Sequence, residues 1–510
     1  MRYFKHFVIF LVCFQCIALK AQVYNRPMNS ELFQYEFQLL DNSFDQYTLI
    51  TPFHIGQYQA TNYPISSQAV ILDPKGYAVW YYSEQSNLFM DFKYNEARQQ
   101  FFTYTTTGGT TTSMLFDTTF QYVEALSTQN GVAIDPHDFI TLQNGNYMLM
   151  GVQDSIFDLS NYSFGGTPGD PNTTVVCNLL QEFSPTHQLV WEWNSCDVLH
   201  PSEAVAYYGY NATSFDYAHI NSVFEDNDHH LLASFRHLNS IVKINHNNGQ
   251  VIWRFGGSNN DFSQLNDYGF SGQHDAQRQP NGLITVFDNG NMSLNPQTSR
   301  AVTYELDLTN SIATLVDEYV RQPITYGSAM GNYAITEEYK AVHYGLIYRP
   351  YPNVVYLDTA NNEVATLTYP DSVMSYRAYI FQPDFSFDRP QVVCYENNGV
   401  TYLQAEDGHS AYLWSSGETT REIIPTEGEE YQVWVSYGVG KVSSEAILYT
   451  TDYCGPVGVD ELSEKFDHEA PQLEYSTDIM GRIVTHKQSG VIYLDVYSDG
   501  AVKKSIYWKR

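Results

Sequence analysis

The sequence is poor in basic residues, and this shortage limits the partners that the protein can bind. Its 510 residues include 26 lysines and arginines against 57 aspartates and glutamates, which gives a formal net charge of −31. Such a charge repels nucleic acids and acidic membrane surfaces, so neither is expected as a partner. An anionic small molecule would need a local pocket of positive charge that works against the overall field.

Helical periodicity and long apolar runs are also nearly absent. After the N-terminus no segment approaches the roughly 20 apolar residues that a membrane-spanning helix needs, so no integral membrane segment is expected in the mature chain. Arg2 and Lys5 precede a short apolar stretch from residue 7 to residue 17, and Ala21 supplies a small residue for cleavage. Residues 1–21 are therefore predicted to be a secretory signal peptide, and the mature chain is predicted to be exported.

Cysteine is scarce, which argues against a metal site built from thiolates. Two of the six cysteines lie in the signal peptide, and no Cys-x-x-Cys pair follows it. Cys177 and Cys196 are equally distant from a turn near residue 186, so they face each other across a predicted hairpin and are expected to form a disulfide. Cys394 and Cys454 bracket a separate C-terminal module, where a second disulfide is expected.

What the sequence has in abundance is short alternating strands separated by polar turns. Three of the predicted hairpins carry a histidine at the same station, seven residues before a turn residue: His137 before Asn144, His219 before Asp226, and His274 before Asn281. An Asn-Gly pair between hydrophobic runs is a strong hairpin signal. Three histidines at one station of a recurring hairpin indicate a repeat architecture.

Each repeat pairs this inner hairpin with an outer one, and four strands per unit at a spacing of roughly 40–60 residues are typical of propeller blades. We therefore predict an all-β chain with a six-bladed β-propeller over residues 22–388. Five units are expected near 88–127, 137–194, 219–256, 274–320 and 330–370, and a sixth combines 47–82 with the strand 375–380 to close the ring. Residues 389–454 predict a small β-sandwich, 455–473 a linker, and 474–510 a compact β unit.

The first strand of each propeller blade lines the central channel, so the three histidines are predicted to meet near the axis. Arg236 is expected to face His219 across its hairpin, and Asn221 lies on the same face two residues further along. Asp138 and Asp275, which follow two of the histidines, are expected on the opposite face. Three further histidines near the turn of the third unit are predicted to lie at the surface: His229, His230 and His237.

Two kinds of ligand suit this set of side chains. Three imidazoles alone would suit Zn²⁺ or copper with one open position. A permanently charged arginine beside them would repel a metal dication, but it would supply forked donors to a tetrahedral oxyanion. The set therefore favours a sulfate or phosphate ester over a metal. A metal-dependent hydrolase and a non-catalytic propeller that binds sulfated or anionic ligands are the alternatives.

At these residues the chain resembles the aryl-sulfate sulfotransferase family of exported six-bladed propellers. The resemblance covers roughly 45–385 and rests on the segments 136–139, 142–147, 219–223, 234–236, 249–257, 273–276 and 286–290. It implies transfer of a sulfuryl group from an aryl sulfate to a phenol through a sulfated histidine, without a nucleotide donor or other cofactor. By this resemblance His274 is the nucleophile, and Ser328 in the next blade is an additional candidate. The non-bridging oxygens would be held by Arg236, His137, His219 and Asn221.

Two further resemblances concern the C-terminal part of the chain. Residues 390–454 resemble the Ig-like repeats of exported surface proteins, and the tail resembles the C-terminal sorting domain read by the type IX secretion system. Together they imply the type IX secretion machinery as a partner. They also imply passage through a periplasm to the cell surface or the medium.

Overall fold

The computed structural model describes residues 22–24, 26, 28–58, 65–84, 87–292, 296–347, 351–456, 473–477, 483–484, 491–497 and 502–507. The predicted signal peptide lies outside these residues, as does the predicted linker apart from residues 455, 456 and 473. The chain divides into two compact units between Pro456 and Val457. No α-helix occurs in the described residues, and none of them forms a helix long and apolar enough to cross a membrane.

Strands follow one another in consecutive groups along the first unit. The N-terminal group comprises β1 (Gln22–Tyr24), β2 (Glu36–Leu39), β3 (Tyr47–Ile50), β4 (Phe53–His54), β5 (Gln68–Leu72) and β6 (Ala78–Ser83). Sheet 1 comprises β7 (Leu88–Asn95), β8 (Gln100–Thr107), β9 (Thr110–Asp117) and β10 (Tyr122–Glu124). Sheet 2 comprises β11 (Ala133–Thr141), β12 (Tyr147–Phe157), β15 (Thr173–Phe183) and β16 (Leu189–Asn194). Between β12 and β15 the chain forms a small separate hairpin of β13 (Ser163–Phe164) and β14 (Thr167–Pro168).

Each of the next three sheets contains four consecutive antiparallel strands, and sheets 4 and 5 have further strands at one edge. Sheet 3 comprises β17 (Ile220–Glu225), β18 (Leu231–Phe235), β19 (Ser240–Ile244) and β20 (Val251–Gly256). Sheet 4 comprises β21 (Ser263–Leu265), β22 (His274–Arg278), β23 (Ile284–Asp288), β24 (Arg300–Asp307) and β25 (Ile312–Tyr319). Sheet 5 has β2 and β1 added beyond β29, and its own strands are β26 (Asn332–Ile335), β27 (Tyr339–His343), β28 (Val354–Asp358) and β29 (Glu363–Thr368).

Sheet 6 closes the series by joining two distant parts of the chain. After β30 (Val373–Met374), which pairs with β4, the strand β31 (Ala378–Phe381) pairs with β3, and β5 and β6 follow in the same sheet. The innermost strands contact one another in the cyclic order β7, β11, β17, β22, β26, β31 and back to β7. This radial order is the one expected of propeller blades, and the predicted pairing of residues 47–50 with the strand near 375–380 is confirmed.

The sheets pack face to face, and strand alternation explains how both faces of one sheet are buried. In β18, Leu231 and Ala233 pack into the core that sheet 3 shares with sheet 2, including Met150. Leu232, between them in sequence, packs with Val286 of sheet 4. Successive strand residues point to opposite faces, so an unbroken apolar run fills two interfaces. Burial of each such leucine contributes about 1.5–3 kcal/mol.

A register shift recurs in the inner hairpins of four successive sheets. The shifts lie between Met90 and Lys93, Ile134 and Phe139, Ile220 and Ser222, and His274 and Gln277. Positive φ angles accompany three of them, at Asp91 (55°), His219 (52°) and Asp275 (55°). Such bulges break the alternation of side chains along a strand. Asp138 and Asp275 contact Arg377 in a buried ion cluster, and their predicted placement on the face opposite the histidines stays a prediction.

The segment after the ring forms β32 (Val392–Asn397), β33 (Val400–Ala405), β34 (Leu413–Trp414), β35 (Glu422–Ile423), β36 (Glu430–Tyr431), β37 (Val433–Tyr437), β38 (Gly440–Ser443), β39 (Ile447–Thr450) and β40 (Tyr453–Pro456). Three of these strands extend sheet 6, because β38 pairs with β6 through Val442 and Trp80, and β37 and β34 follow it. The others form two separate three-stranded sheets, β32-β33-β35 and β36-β39-β40. Its Ig-like character stays a prediction. The second unit contains β41 (Leu473–Thr477), β42 (Ile483–Val484), β43 (Val491–Tyr497) and β44 (Val502–Tyr507), in the order β42-β41-β43-β44.

Both predicted disulfides are present. Cys177 and Cys196 have Cα atoms 5.4 Å apart and continue the register in which Leu179 pairs with Asn194. Cys394 of β32 is bonded to Cys454 of β40.

Candidate functional site

The three inner hairpins carry equivalent five-residue turns, which allow the positions of the histidines to be compared. The amide of Leu142 donates to the carbonyl of Asn146 at 2.8 Å, Asp226 to His230 at 2.7 Å, and Gln279 to Leu283 at 2.8 Å. His137 and His274 both lie five residues before the donor of their turn, whereas His219 lies seven residues before Asp226. The equivalence predicted from the sequence therefore holds in the backbone for His137 and His274, and Asn221 takes the matching position in the hairpin of His219.

His137 and His219 lie together, and each has a carboxylate on its Nδ1. Their ring centroids are 4.9 Å apart. His137 Nδ1 contacts Asp135, and His219 Nδ1 lies 2.5 Å from Oδ2 of Asp216. Burial opposes protonation of His137, but Asp135 outweighs it and holds the pKa of His137 above its ordinary value. Burial likewise opposes ionisation of Asp216, yet His219 beside it lowers the pKa of Asp216 to about 2.

His274 has a neutral partner instead and lies deeper, with 2 % of its surface exposed. Its Nδ1 is 2.7 Å from Oδ1 of Asn289 and 3.0 Å from the carbonyl oxygen of Gly272. The amide nitrogen of Asn289 donates to the carbonyls of Gly327 and Met330, which fixes its oxygen toward His274. Both neighbours of Nδ1 are therefore acceptors, so Nδ1 carries the proton and Nε2 keeps its lone pair.

The charge environment of His274 favours the same neutral form. Burial and the positive charge of Arg236 lower the pKa of His274 well below its ordinary value, and His219 acts in the same direction. His274 is thus close enough to Arg236 and His219 to respond to their charges. The structure brings the predicted histidines and arginine into one electrostatic environment.

Arg236 faces His219 as predicted, with its amide donating to the carbonyl of His219 at 2.9 Å. Its guanidinium is held by His237 Nε2, which accepts from Nη1 at 3.0 Å, and by the carbonyl of Ser328, which accepts from Nη2 at 3.1 Å. Its Nε has no hydrogen-bond partner among the described residues. Ser328 therefore contributes backbone to the site, and the donors of Arg236 that these two bonds do not use, the Nε–H among them, are left for a ligand.

His237 is part of the site, and its predicted surface location is wrong. Its Nδ1 donates to the carbonyl of Asp216 at 2.6 Å, and its ring stacks on that of His219 at 4.5 Å. Burial and the nearby His219 lower the pKa of His237 to about 3. With both nitrogens engaged, a neutral His237 anchors Arg236.

Asn221 lies at the site but is turned toward the protein. It is fully buried, and its side-chain amide donates to the carbonyl of Gln273, immediately before His274, at 2.7 Å. The carbonyl of Asn221 accepts from Arg377 at 2.6 Å. These bonds suit a residue that positions the strand of His274 better than the predicted direct contact with an oxyanion.

A buried ion cluster below the histidines fills the axis, and the sequence reasoning missed its centre, Arg377. The guanidinium lies 3.2 Å from Asp91, 3.5 Å from Asp138 and 3.7 Å from Asp275. Lys93 contacts Asp91 at 2.8 Å and also contacts Asp138. Charged groups from β7, β11 and β22 therefore meet Arg377 just ahead of β31, and an isolated charge at such depth would be costly.

A cavity of about 240 Å³ lies along the innermost strands, bordered by this ion cluster. Its described lining includes Lys93, Asp138, Asp275 and Arg377, but none of the three histidines. The ion cluster therefore borders this cavity, whereas the histidine site is lined by other groups.

One group of side chains has the spacing of a metal site, and it differs from the three predicted histidines. Ligand atoms of Asp216, His219 and His237 lie within 4.8 Å of one another. However, each of these imidazoles already has a bonded Nδ1, and His237 Nε2 accepts from the Arg236 guanidinium. A cation placed there would displace Arg236 and meet its charge, so the donor set suits an anion better.

Some missed residues had a usable signal in the sequence. Asn289 belongs to the Asp288-Asn289-Gly290 segment that ends the second strand of the His274 hairpin, at the end nearest the axis. Arg377 is the one basic residue within the predicted closing strand 375–380. Asp216 and His237 had no comparable signal, because they lie in irregular connections whose path only the structure gives.

Comparison with known proteins gives one family match and several remote structural similarities. The profile of the family described as arylsulfotransferase (ASST) matches residues 28–364. No curated protein matches the chain. Among solved structures, similarity extends to a Bacteroides caccae protein of unknown function (10% identity, 66% of this chain and 100% of that one, TM-score 0.42). It also extends to a virginiamycin B lyase from Staphylococcus aureus (8%, 80% and 98%, TM-score 0.34) and to a Myceliophteria thermophila Cps50 (Swd1) β-propeller domain (10%, 60% and 81%, TM-score 0.32).

Proposed function

The chain belongs to the arylsulfotransferase family, and we propose that it transfers a sulfuryl group from an aryl sulfate ester to a phenolic acceptor through a sulfated His274. The fold is inferred to be a six-bladed propeller with the reaction at one end of its axis. The donor would be a small aryl sulfate, and the residues at the site supply the chemistry without a nucleotide sulfate.

The observation that carries this proposal is the hydrogen bonding of His274. Its Nδ1 donates to two acceptors, Asn289 and Gly272, so its Nε2 is the nucleophilic atom. An imidazole nitrogen attacks without an activating base when it is neutral. His137 and His219 each have a carboxylate partner, and Asp135 raises the pKa of His137, which favours its imidazolium form. Environments that separate pKa values in this way assign the nucleophile and the acid to different residues.

In the first half-reaction the Nε2 lone pair of His274 attacks sulfur. The N–S bond forms as the S–O bond to the aryl group breaks, and the phenolate leaves with the electron pair. His137 or His219 protonates that phenolate. In the second half the same imidazole takes the proton of the acceptor phenol, whose oxygen attacks sulfur, and the N–S electron pair returns to Nε2.

Arg236 would stabilise the sulfuryl oxygens during both steps. Its free Nε donor and its permanent charge suit an oxyanion, and His237 and Ser328 hold it in place before the ligand arrives. Donors that need no reorganisation are worth most where water is excluded. Asn221 would act indirectly, by fixing the backbone that leads into His274.

The test is incubation of the protein with 4-nitrophenyl sulfate, first alone and then with phenol. We expect one sulfate on a peptide that contains His274 when the donor is present alone, and transfer to phenol afterwards. His274→Ala should lose both the labelled peptide and turnover. His229→Ala is the matched control, because the His229 side chain is 66% exposed and lies away from the site.

Two results would contradict the assignment. A sulfate on a peptide that contains His137 or His219 would assign the nucleophile to that residue. Full turnover by His274→Ala would show that His274 is not the nucleophile. Binding of aryl sulfates without turnover would favour a non-catalytic propeller instead. Loss of activity in a chelator would favour metal chemistry at Asp216, His219 and His237.

We also propose that the protein is exported, through a signal peptide at residues 1–21 and a type IX sorting domain at 474–510. Two disulfides in the first unit suit an oxidising compartment. The described strands of the tail make a small antiparallel sheet, β42-β41-β43-β44. Deletion of residues 474–510 should leave the protein in the periplasm of a host with that secretion system, and release of the truncated protein would contradict the proposal.

A further inference from the structure

A continuous series of ring contacts leads from the surface into the site. Tyr207, on the short 3₁₀ helix Ala206–Tyr208, packs against Tyr208 at 5.0 Å, and Tyr208 stacks on His237 at 4.4 Å. His237 in turn stacks on His219 at 4.5 Å, and His219 packs on His137. The outermost ring, Tyr207, is 53% exposed, which is unusual for an aromatic side chain joined to a buried series.

The outer end of this series lies beside the anion-binding arginine. The Arg236 guanidinium carbon is 4.8 Å from the ring centroid of Tyr208. Tyr326, from the connection between sheets 4 and 5, is hydrogen-bonded to Tyr207 and to Asn291, and it lies within the electrostatic reach of Arg236. Two tyrosines from different parts of the chain therefore border the mouth of the site on the Arg236 side.

We propose that the exposed ring of Tyr207 is the platform on which the aryl rings of donor and acceptor lie, each in turn. This inference deepens the proposed sulfuryl transfer and rests on it. With sulfur held between His274 and Arg236, in-line displacement requires the ester oxygen of the donor to point away from Nε2. An acceptor phenol must approach the same sulfur from the side opposite Nε2. Both rings therefore need the same place at the mouth, and Tyr207 is the exposed ring there.

The experiment compares Tyr207→Ala, Tyr207→Phe and Tyr122→Ala in steady-state transfer from 4-nitrophenyl sulfate to phenol. Loss of an offset or edge-to-face aromatic contact should raise both the donor KM and the acceptor KM by about threefold to tenfold. The kcat should change little, because the contact is the same in the ground state and the transition state. Tyr207→Phe keeps the ring and should keep both KM values. Tyr122 is the matched control, since it is 51% exposed on β10.

A second measurement does not depend on turnover. The Kd of 4-nitrophenyl sulfate, measured by calorimetry in a His274→Ala background, should weaken by the same factor when Tyr207→Ala is added. Unchanged KM values in an active Tyr207→Ala variant would overturn the platform, and a change in the donor KM alone would overturn its shared use. An equal effect of Tyr122→Ala would also overturn it. If the unmutated protein neither transfers sulfate nor binds the donor, the proposed function fails as a whole.

Discussion

The sharpest prediction concerns Asn289, which keeps His274 neutral by offering it an uncharged acceptor. The substitution Asn289→Asp would place a carboxylate against Nδ1, at the position where the amide oxygen lies 2.7 Å away. Imidazolium would then be stabilised, and the nucleophile would be lost over a wider range of pH. The variant changes one functional group and leaves side-chain size nearly constant.

The size of the effect follows from Coulomb's law. Two unit charges about 4 Å apart interact by about 4 kcal/mol at an effective dielectric constant near 20. Because about 1.4 kcal/mol corresponds to one pKa unit, the pKa of His274 should rise by about 3 units. In the unmutated protein that pKa lies well below its ordinary value through burial and Arg236. Activity is lost as the pH falls through this pKa, so the acid limb of the pH–rate profile should move up by about 3 pH units.

The assay is the single-turnover burst of 4-nitrophenol from 4-nitrophenyl sulfate, followed from acid to alkaline pH. The new carboxylate cannot donate to the carbonyls of Gly327 and Met330, which costs stability but does not move the limb. Asn289→Ala is the control. Its lost hydrogen bond had raised the pKa of His274, so its acid limb should stay or move to lower pH, while Gly272 still fixes the proton on Nδ1.

The reasoning fails if Asn289→Asp has its acid limb at the pH of the unmutated protein. It also fails if Asn289→Ala and Asn289→Asp move the limb in the same direction, because then packing and not charge would control the nucleophile.

Three further predictions concern other parts of the molecule. Asp135→Asn removes the charge that raises the pKa of His137. With donors whose leaving group needs protonation, the alkaline limb of the pH–rate profile should move down by about 1–2 pH units. An unmoved alkaline limb would exclude His137 as the acid. Arg236→Lys should lower kcat/KM about 100-fold to 1000-fold, with circular dichroism used to check that the variant is folded. A loss below tenfold would contradict the role of the forked guanidinium donors. Replacing Cys177 and Cys196 by serine together should lower the free energy of unfolding by about 3 kcal/mol; an unchanged denaturant midpoint would refute this.

Much of the ring could be predicted because it depends on local turn chemistry. The Asn144-Gly145 and Asn281-Gly282 turns set the registers of their hairpins, and those registers determine where His137 and His274 lie along the inner strands. The Cys177–Cys196 pair followed from the same counting. Closure by β31 was predictable because residues 47–82 supply fewer than the four strands of a blade, and the strand near 375–380 supplies the missing one.

What could not be predicted depends on departures from regular strands. The register shifts beside Asp138 and Asp275 could not be predicted, because no turn signal marks a bulge. His237 lies after β18 in a short 3₁₀ helix, so neither strand nor helix periodicity applies to it. The continuation of sheet 6 through β38 depends on edge pairing between distant segments, which composition does not reveal.

The closing strand gives the site an order of assembly. His137, Arg236 and His274 are all synthesised before Arg377, which stands just ahead of β31 and supplies the cation that lies among three axial carboxylates. Without that strand, Asp275 would lose its arginine partner and β3 would lack its inner neighbour. The axial ion cluster therefore depends on the last inner strand, although the reacting groups all precede it in the chain.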